Sequence, residues 1–181
     1  PRVRRQRQMC IRDRYAAVRK EMESVAEYLG KSVLREVDED EFMKNIADIR
    51  SSCGDRAVLR AMHFYGDNAR VEKQAAALKA GDFETFKKYI IESGRSSYMY
   101  NQNVYSCKKA SEQPVSLALS LSEKLLDGCG AWRVHGGGFA GTIQAFVPLN
   151  KLDEYKDLME KVFGSGSCYI LSVRPVGGVE L

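Results

Sequence analysis

Between two β-type runs, Ala131-Trp132-Arg133-Val134 and Thr142-Ile143-Gln144-Ala145-Phe146-Val147, the chain places Gly136, Gly137, Gly138 and Gly141. No other stretch restricts the fold as tightly. Without a Cβ these positions admit φ > 0 and close approach of backbone, so the chain can reverse here and turn N–H groups toward an anion. A tight hairpin holding no ligand satisfies the same glycines, and both readings stand at this point. The exit run alternates apolar positions, as a half-buried strand does.

Periodicity sets out the rest. Val18, Met22, Val25 and Leu29 share helical spacing and predict a helix from Tyr15 to Leu29, ended by Gly30. Val33 to Val37 suits a short strand. Asp38 with Glu41 makes a capping-box-like start for one helix carrying Phe42, Ile46 and Ile49 on a face. A long helix runs from about Asp55 to Lys79, stopped near Gly81; Asp82 caps the next, with Phe83, Phe86 and Ile90 inward. Pro114 opens a leucine-rich helix from Val115 to Leu126. Asn150 caps a helix bearing Leu152, Tyr155, Met159 and Val162, and Cys168 to Val173 returns as a strand. The final third thus reads helix, strand, glycine loop, strand, helix, strand, which fits an antiparallel α+β fold with helices on one face of a small sheet. Nothing repeats internally, so one domain is expected over residues 15–181.

Composition excludes several classes. At 181 residues and 44% hydrophobic, the chain is long enough for a single core. No apolar run nears the ~20 residues of a membrane span and no signal-peptide core is present, so the expected partners include no membrane and the expected location is cytoplasmic. Cys10, Cys53, Cys107, Cys129 and Cys168 are odd in number and scattered, which argues against a disulfide framework or a zinc site. The net charge of +4 is misleading. Six arginines and one aspartate in residues 1–14 contribute +5, leaving −1 on the remainder. That head reads as a nucleic-acid or targeting arm, as a solvated tail, or as sequence foreign to the gene. The third is expected, because Gln8-Met-Cys-Ile-Arg-Asp13 matches the translation of a common transposase-type sequencing adapter. Without the head there is no basic stripe, and no nucleic-acid partner is expected.

Arg133-Val134-His135 leads into Gly136-Gly-Gly-Phe139-Ala140-Gly141-Thr142. Upstream lie Tyr15-Ala-Ala-Val-Arg19-Lys20, Leu29-Gly30-Lys31, Leu34-Arg-Glu-Val37, Arg56-Ala57, His63, Asn68, Arg70-Val71, Ala77-Leu78, Gly81-Asp82 and Phe86. In order and spacing these resemble the C-terminal part of the GHMP kinases, small-molecule kinases of sugars and alcohols, in their galactokinase form. There an Arg-hydrophobic-Thr run precedes Gly-Gly-Gly-Phe-Gly-Gly. Here His135 replaces the threonine, Ala140 a glycine, and Thr142 a usual cysteine; Ser93 to Pro114 is the least similar stretch.

The resemblance implies a ferredoxin-like domain with extra helices. It implies that Tyr15 binds the sugar and that Gly136, Gly137, Gly138, Phe139 and Gly141 sit near nucleotide phosphates, with Arg133 and His135 on one side of the strand as candidates to face them. It implies ATP and Mg²⁺ as cofactors and galactose or a related sugar as substrate in the complete enzyme. The phosphate loop and catalytic aspartate of that family lie in an N-terminal half with no counterpart here, so no catalytic residue and no metal ligand are expected in this chain. Gly30-Lys31-Ser32 is no substitute, since a Walker-type loop needs glycine where Val25 stands. The missing half is then the expected partner, and an exposed apolar face would mark its place. A non-catalytic sugar-sensing or regulatory module of the same fold, or a GHMP kinase of another sugar, fits the same residues. His63 reads as a structural histidine, and the acidic run Asp38 to Glu41 as a helix start rather than a metal site.

Overall fold

In a computed structural model, residues 2–105, 110–139 and 141–172 are described, with side chains from Arg14 onward. Contacts divide the chain into two units, residues 1–146 and residues 147–181. In the first, helix α1 (Arg2–Tyr28) runs unbroken through residues 14 and 15 and buries Val25 and Ala26. Gly30 closes it at φ 72°, with Lys31 N–H donating to Ala26 O (2.9 Å) and Gly30 N–H to Glu27 O (3.0 Å), a reversal that costs glycine little.

The segment expected as a strand at Val33–Val37 is instead a 3₁₀ turn, Leu34–Glu36. Leu34 and Val37, three apart, both point into the core, and their carbonyls accept the Tyr65 hydroxyl at 3.4 and 3.2 Å. A tight turn satisfies that spacing without a ladder partner. Asp38 caps as expected, accepting from the N–H groups of Asp40 (2.9 Å) and Glu41 (3.3 Å). The single helix expected after it is two, α2 (Glu39–Lys44) and α3 (Ile46–Cys53). Asn45 divides them, because its Nδ2 donates to Glu41 O (2.8 Å) and competes with the helical pattern.

Helix α4 (Asp55–Lys79) has the expected limits, and α5 (Phe83–Ser96) starts from Asp82, which accepts from Thr85 N–H at 3.0 Å. Phe86 and Ile90 point inward; Phe83 does not, lying half exposed and stacked on Phe86. A π-helical turn, Ser97–Asn101, extends α5 and ends at Gln102 in the left-handed region (φ 55°). Helix α6 (Pro114–Leu126) has proline in its first turn, as read. Strands β1 (Ala131–Val134) and β2 (Ile143–Phe146) pair antiparallel from Ala131 opposite Phe146 to Val134 opposite Ile143. The unit is mostly helical with this small sheet, an arrangement compatible with α+β.

One apolar cluster joins α1, the 3₁₀ turn, α2, α3 and α4 through Val25, Leu34, Phe42, Ile49, Ala61 and Tyr65. Two smaller ones bind the sheet: Ala77, Phe86, Ile90 and Ala131 on one side, Val104, Val115 and Val134 on the other. Gly94 lets α5 touch β1 directly, since a Cβ there would stand 2.9 Å from Arg133 Cβ and 3.1 Å from Trp132 O.

In the second unit, a 3₁₀ turn (Leu149–Lys151) leads into α7 (Leu152–Phe163). Asn150 lies inside that turn and Lys151 takes the capping position, so the expected asparagine cap is not formed. Tyr155 and Met159 are buried, whereas Val162 is exposed. Residues 168–172 form no strand, and Val173 and Arg174-Pro175 lie outside the described residues.

Candidate functional site

The glycine loop leaves β1 at His135, whose N–H donates to Thr142 O (3.1 Å) to close the hairpin neck. Beyond it, two peptide groups are each held at both ends. The Gly137 carbonyl accepts from Asn103 Nδ2 (3.2 Å), and the Gly138 N–H on the same peptide reaches His135 O (3.4 Å). The Gly138 carbonyl accepts from the Tyr15 hydroxyl (2.8 Å), and the Phe139 N–H on that peptide donates to Asn103 O (2.8 Å). Residues 15, 103 and 138 thus converge from three separate parts of the chain. The fit is tight: a Cβ on Gly137 would lie 2.1 Å from Tyr15 Cε1, and one on Gly138 would lie 2.0 Å from Asn103 O. Phe139, at φ 29°, packs edge-to-face on Tyr15 with centroids 5.8 Å apart and carries the Arg14 guanidinium 5.7 Å above its ring.

Of the residues read from the sequence, Tyr15, Gly136, Gly137, Gly138 and Phe139 are brought together, and Gly141 follows at φ 96° with open space around it. Ala140 lies outside the described residues. Gly138 and Phe139 spend their N–H groups internally, whereas Gly136 and Gly137 are exposed and no hydrogen bond from their N–H groups is formed among the described residues. His135 is exposed. Arg133 is half buried, with its Cβ beside Gly94 and its Nε donating to Val134 O (3.2 Å). Burial pushes its pKa down, which nearby Asp67 opposes and Arg70 reinforces.

Beneath β1 runs a polar seam between α4 and α5. His63 Nδ1 meets Ser96 Oγ at 2.9 Å, Ser93 donates to the Asp67 carboxylate, and Arg70 pairs with Asp67 at 3.1 Å. His63 is the satisfied structural histidine expected. Burial holds its pKa below the usual value, with Asp67 opposing and Arg70 and Arg133 adding to the drop. A second polar group anchors the π-helical turn: buried Arg60 pairs with Glu21 at 2.7 Å and its Nε donates to Asn101 O at 3.1 Å. Asn103, Arg60 and Glu21 escaped the sequence reading. Their only signal was Asn101-Gln-Asn103, a polar triplet after an aromatic run, in the stretch least similar to any known pattern.

Chemically, the loop offers backbone donors and no acid. Among the described residues no three His, Cys, Asp or Glu side chains cluster as metal ligands. No helix among them is long and apolar enough to cross a membrane.

Fold and site together define a class first: a mostly helical α+β unit whose glycine hairpin is clamped into a backbone cradle. Comparison with known proteins makes this specific. The chain is 30% identical over 167 residues to the galactokinase of Homo sapiens, covering 92% of this chain and 40% of that protein. It is 31% identical over 157 residues to that of Bos taurus, covering 86% and 37%. Against the galactokinase of Mannheimia succiniciproducens it is 25% identical over 145 residues, covering 80% and 36%. No protein-family model matches. The chain is a relative of the galactokinases that spans about two-fifths of their length, in keeping with their C-terminal part.

Proposed function

We propose that residues 15–181 are the C-terminal, ferredoxin-like domain of a galactokinase-type GHMP kinase. Completed by an N-terminal half, it would transfer the ATP γ-phosphoryl group to the anomeric hydroxyl of galactose. The observation that carries this reading is the meeting of Tyr15 with the glycine loop across 123 residues of sequence. Two motifs assigned separately to sugar and to phosphate lie within one hydrogen bond of each other, as a kinase that joins sugar to phosphate requires.

ATP and Mg²⁺ supply the phosphoryl group and its charge neutralisation when bound. Phosphoryl transfer depends chiefly on positioning and on stabilising spread negative charge, and the amides of exposed Gly136 and Gly137 suit that role. Exposed His135 stands at the rim, where a ring N–H can donate toward phosphate. Tyr15 gives its proton to Gly138 O, which leaves the phenolic oxygen as an acceptor for a sugar hydroxyl. The residues that generate the nucleophile belong to the other half, so this chain alone is expected to be inactive. Residues 1–14 are read as foreign to the domain, although the Arg14 guanidinium lies over the Phe139 ring. A cytoplasmic address fits a kinase that consumes ATP.

The purified chain, incubated with ATP, Mg²⁺ and galactose, should form no galactose-1-phosphate above a mock-purified control. Product that scales with the concentration of this chain would overturn the division of labour.

A further inference from the structure

We infer that Asn103 is a positioning residue that fixes the conformation of the glycine loop by holding its Gly137–Gly138 and Gly138–Phe139 peptides. This deepens the proposed phosphate-side role of the loop and rests on it. Asn103 touches the loop twice, with its carbonyl on Phe139 N–H (2.8 Å) and with Nδ2 on Gly137 O (3.2 Å). Those bonds hold consecutive peptide planes. Because C=O and N–H of one trans peptide point oppositely, holding the Gly137 carbonyl inward fixes which way the Gly138 N–H points. The same logic links the Phe139 N–H to the Gly138 carbonyl, which Tyr15 holds from the other side.

Asn103 is 2% exposed, and among the described residues its Oδ1 is buried without a hydrogen-bond partner. The reverse amide orientation would set Oδ1 against Gly137 O, oxygen to oxygen. The chain therefore tolerates an unpaired buried acceptor in order to aim a donor at the loop. Asn103 is itself aimed from behind, since Arg60 holds Asn101 O and Gln102 reverses the chain at φ 55°.

The test uses the full chain, with ¹H–¹⁵N spectra, amide exchange and inorganic tripolyphosphate as the probe. In the wild type the Phe139 amide should exchange at least about tenfold more slowly than those of Gly136 and Gly137, because only the first is bonded. Equal exchange overturns the clamp without recourse to any variant. Asn103→Asp keeps the shape and removes the donor; Asn103→Ala removes both. In either, the Gly136–Phe139 resonances should move and tripolyphosphate affinity should fall about tenfold, with α4 and α5 amides exchanging as before. Loop resonances and affinity unchanged in a folded variant overturn the proposal. A wild type that shows the protected Phe139 amide yet binds no tripolyphosphate would leave the clamp standing and overturn the phosphate-side reading.

Discussion

Gly138 is the residue at which this site tolerates least. Alanine there would meet Asn103 O at 2.0 Å, a backbone atom that cannot swing away, at a φ of 78° that L-residues avoid. Gly138→Ala is expected to cost about 3 kcal/mol in urea unfolding, whereas Gly136→Ala, with open space but φ 60°, should cost only about 1 kcal/mol. Equal losses at the two positions would show that the clamp does not exist. His63 gives a pH prediction. Its folded pKa is depressed, so the unfolded chain takes up the proton first as pH falls. The stability that the neutral imidazole contributes is present above the unfolded pKa of ~6.5 and is lost as pH falls below it. Thermal melts between about pH 7 and 5 should show that loss, and His63→Gln should flatten the slope.

At the level of elements, legibility followed local chemistry. The limits of α4, the caps of α2 and α5 and the proline start of α6 were readable, because Asp38, Asp82 and Pro114 satisfy or forgo backbone bonds within their own turns. The misread pieces depend on distant partners. Val33–Val37 reads as a short strand, yet the Leu34 and Val37 carbonyls are taken by Tyr65 from α4. Asn45 ends a helix whose apolar pattern continues past it. The π-helical turn has no local signature at all; it is held by Arg60 and Glu21 from two other helices. Glu21→Ala should remove the carboxylate that pairs with Arg60, itself 3% exposed, and cost about 3 kcal/mol, measured by urea denaturation. A loss no larger than that of an exposed pair, under about 1 kcal/mol, would mean the turn is not anchored there.

For the molecule as a whole, the glycine hairpin was legible because only glycine suits its geometry, and Tyr15 because its spacing matched a known pattern. Their contact was not legible, nor was the part played by Asn103, since nothing in a linear reading brings residues 15, 103 and 138 together. That convergence of α1, the π-helical turn and the β1–β2 hairpin is the geometry on which the proposed site rests. The relatives are a little over twice as long as this chain. The most direct measurement is complementation: the N-terminal part of a galactokinase relative, inactive alone, is mixed or co-expressed with this chain and galactose-1-phosphate is measured. Turnover that appears only with both pieces, and falls when Tyr15 is changed to phenylalanine, is the result expected. A well-folded pair that associates yet forms no product, with wild-type Tyr15 and the loop intact, would contradict the kinase assignment.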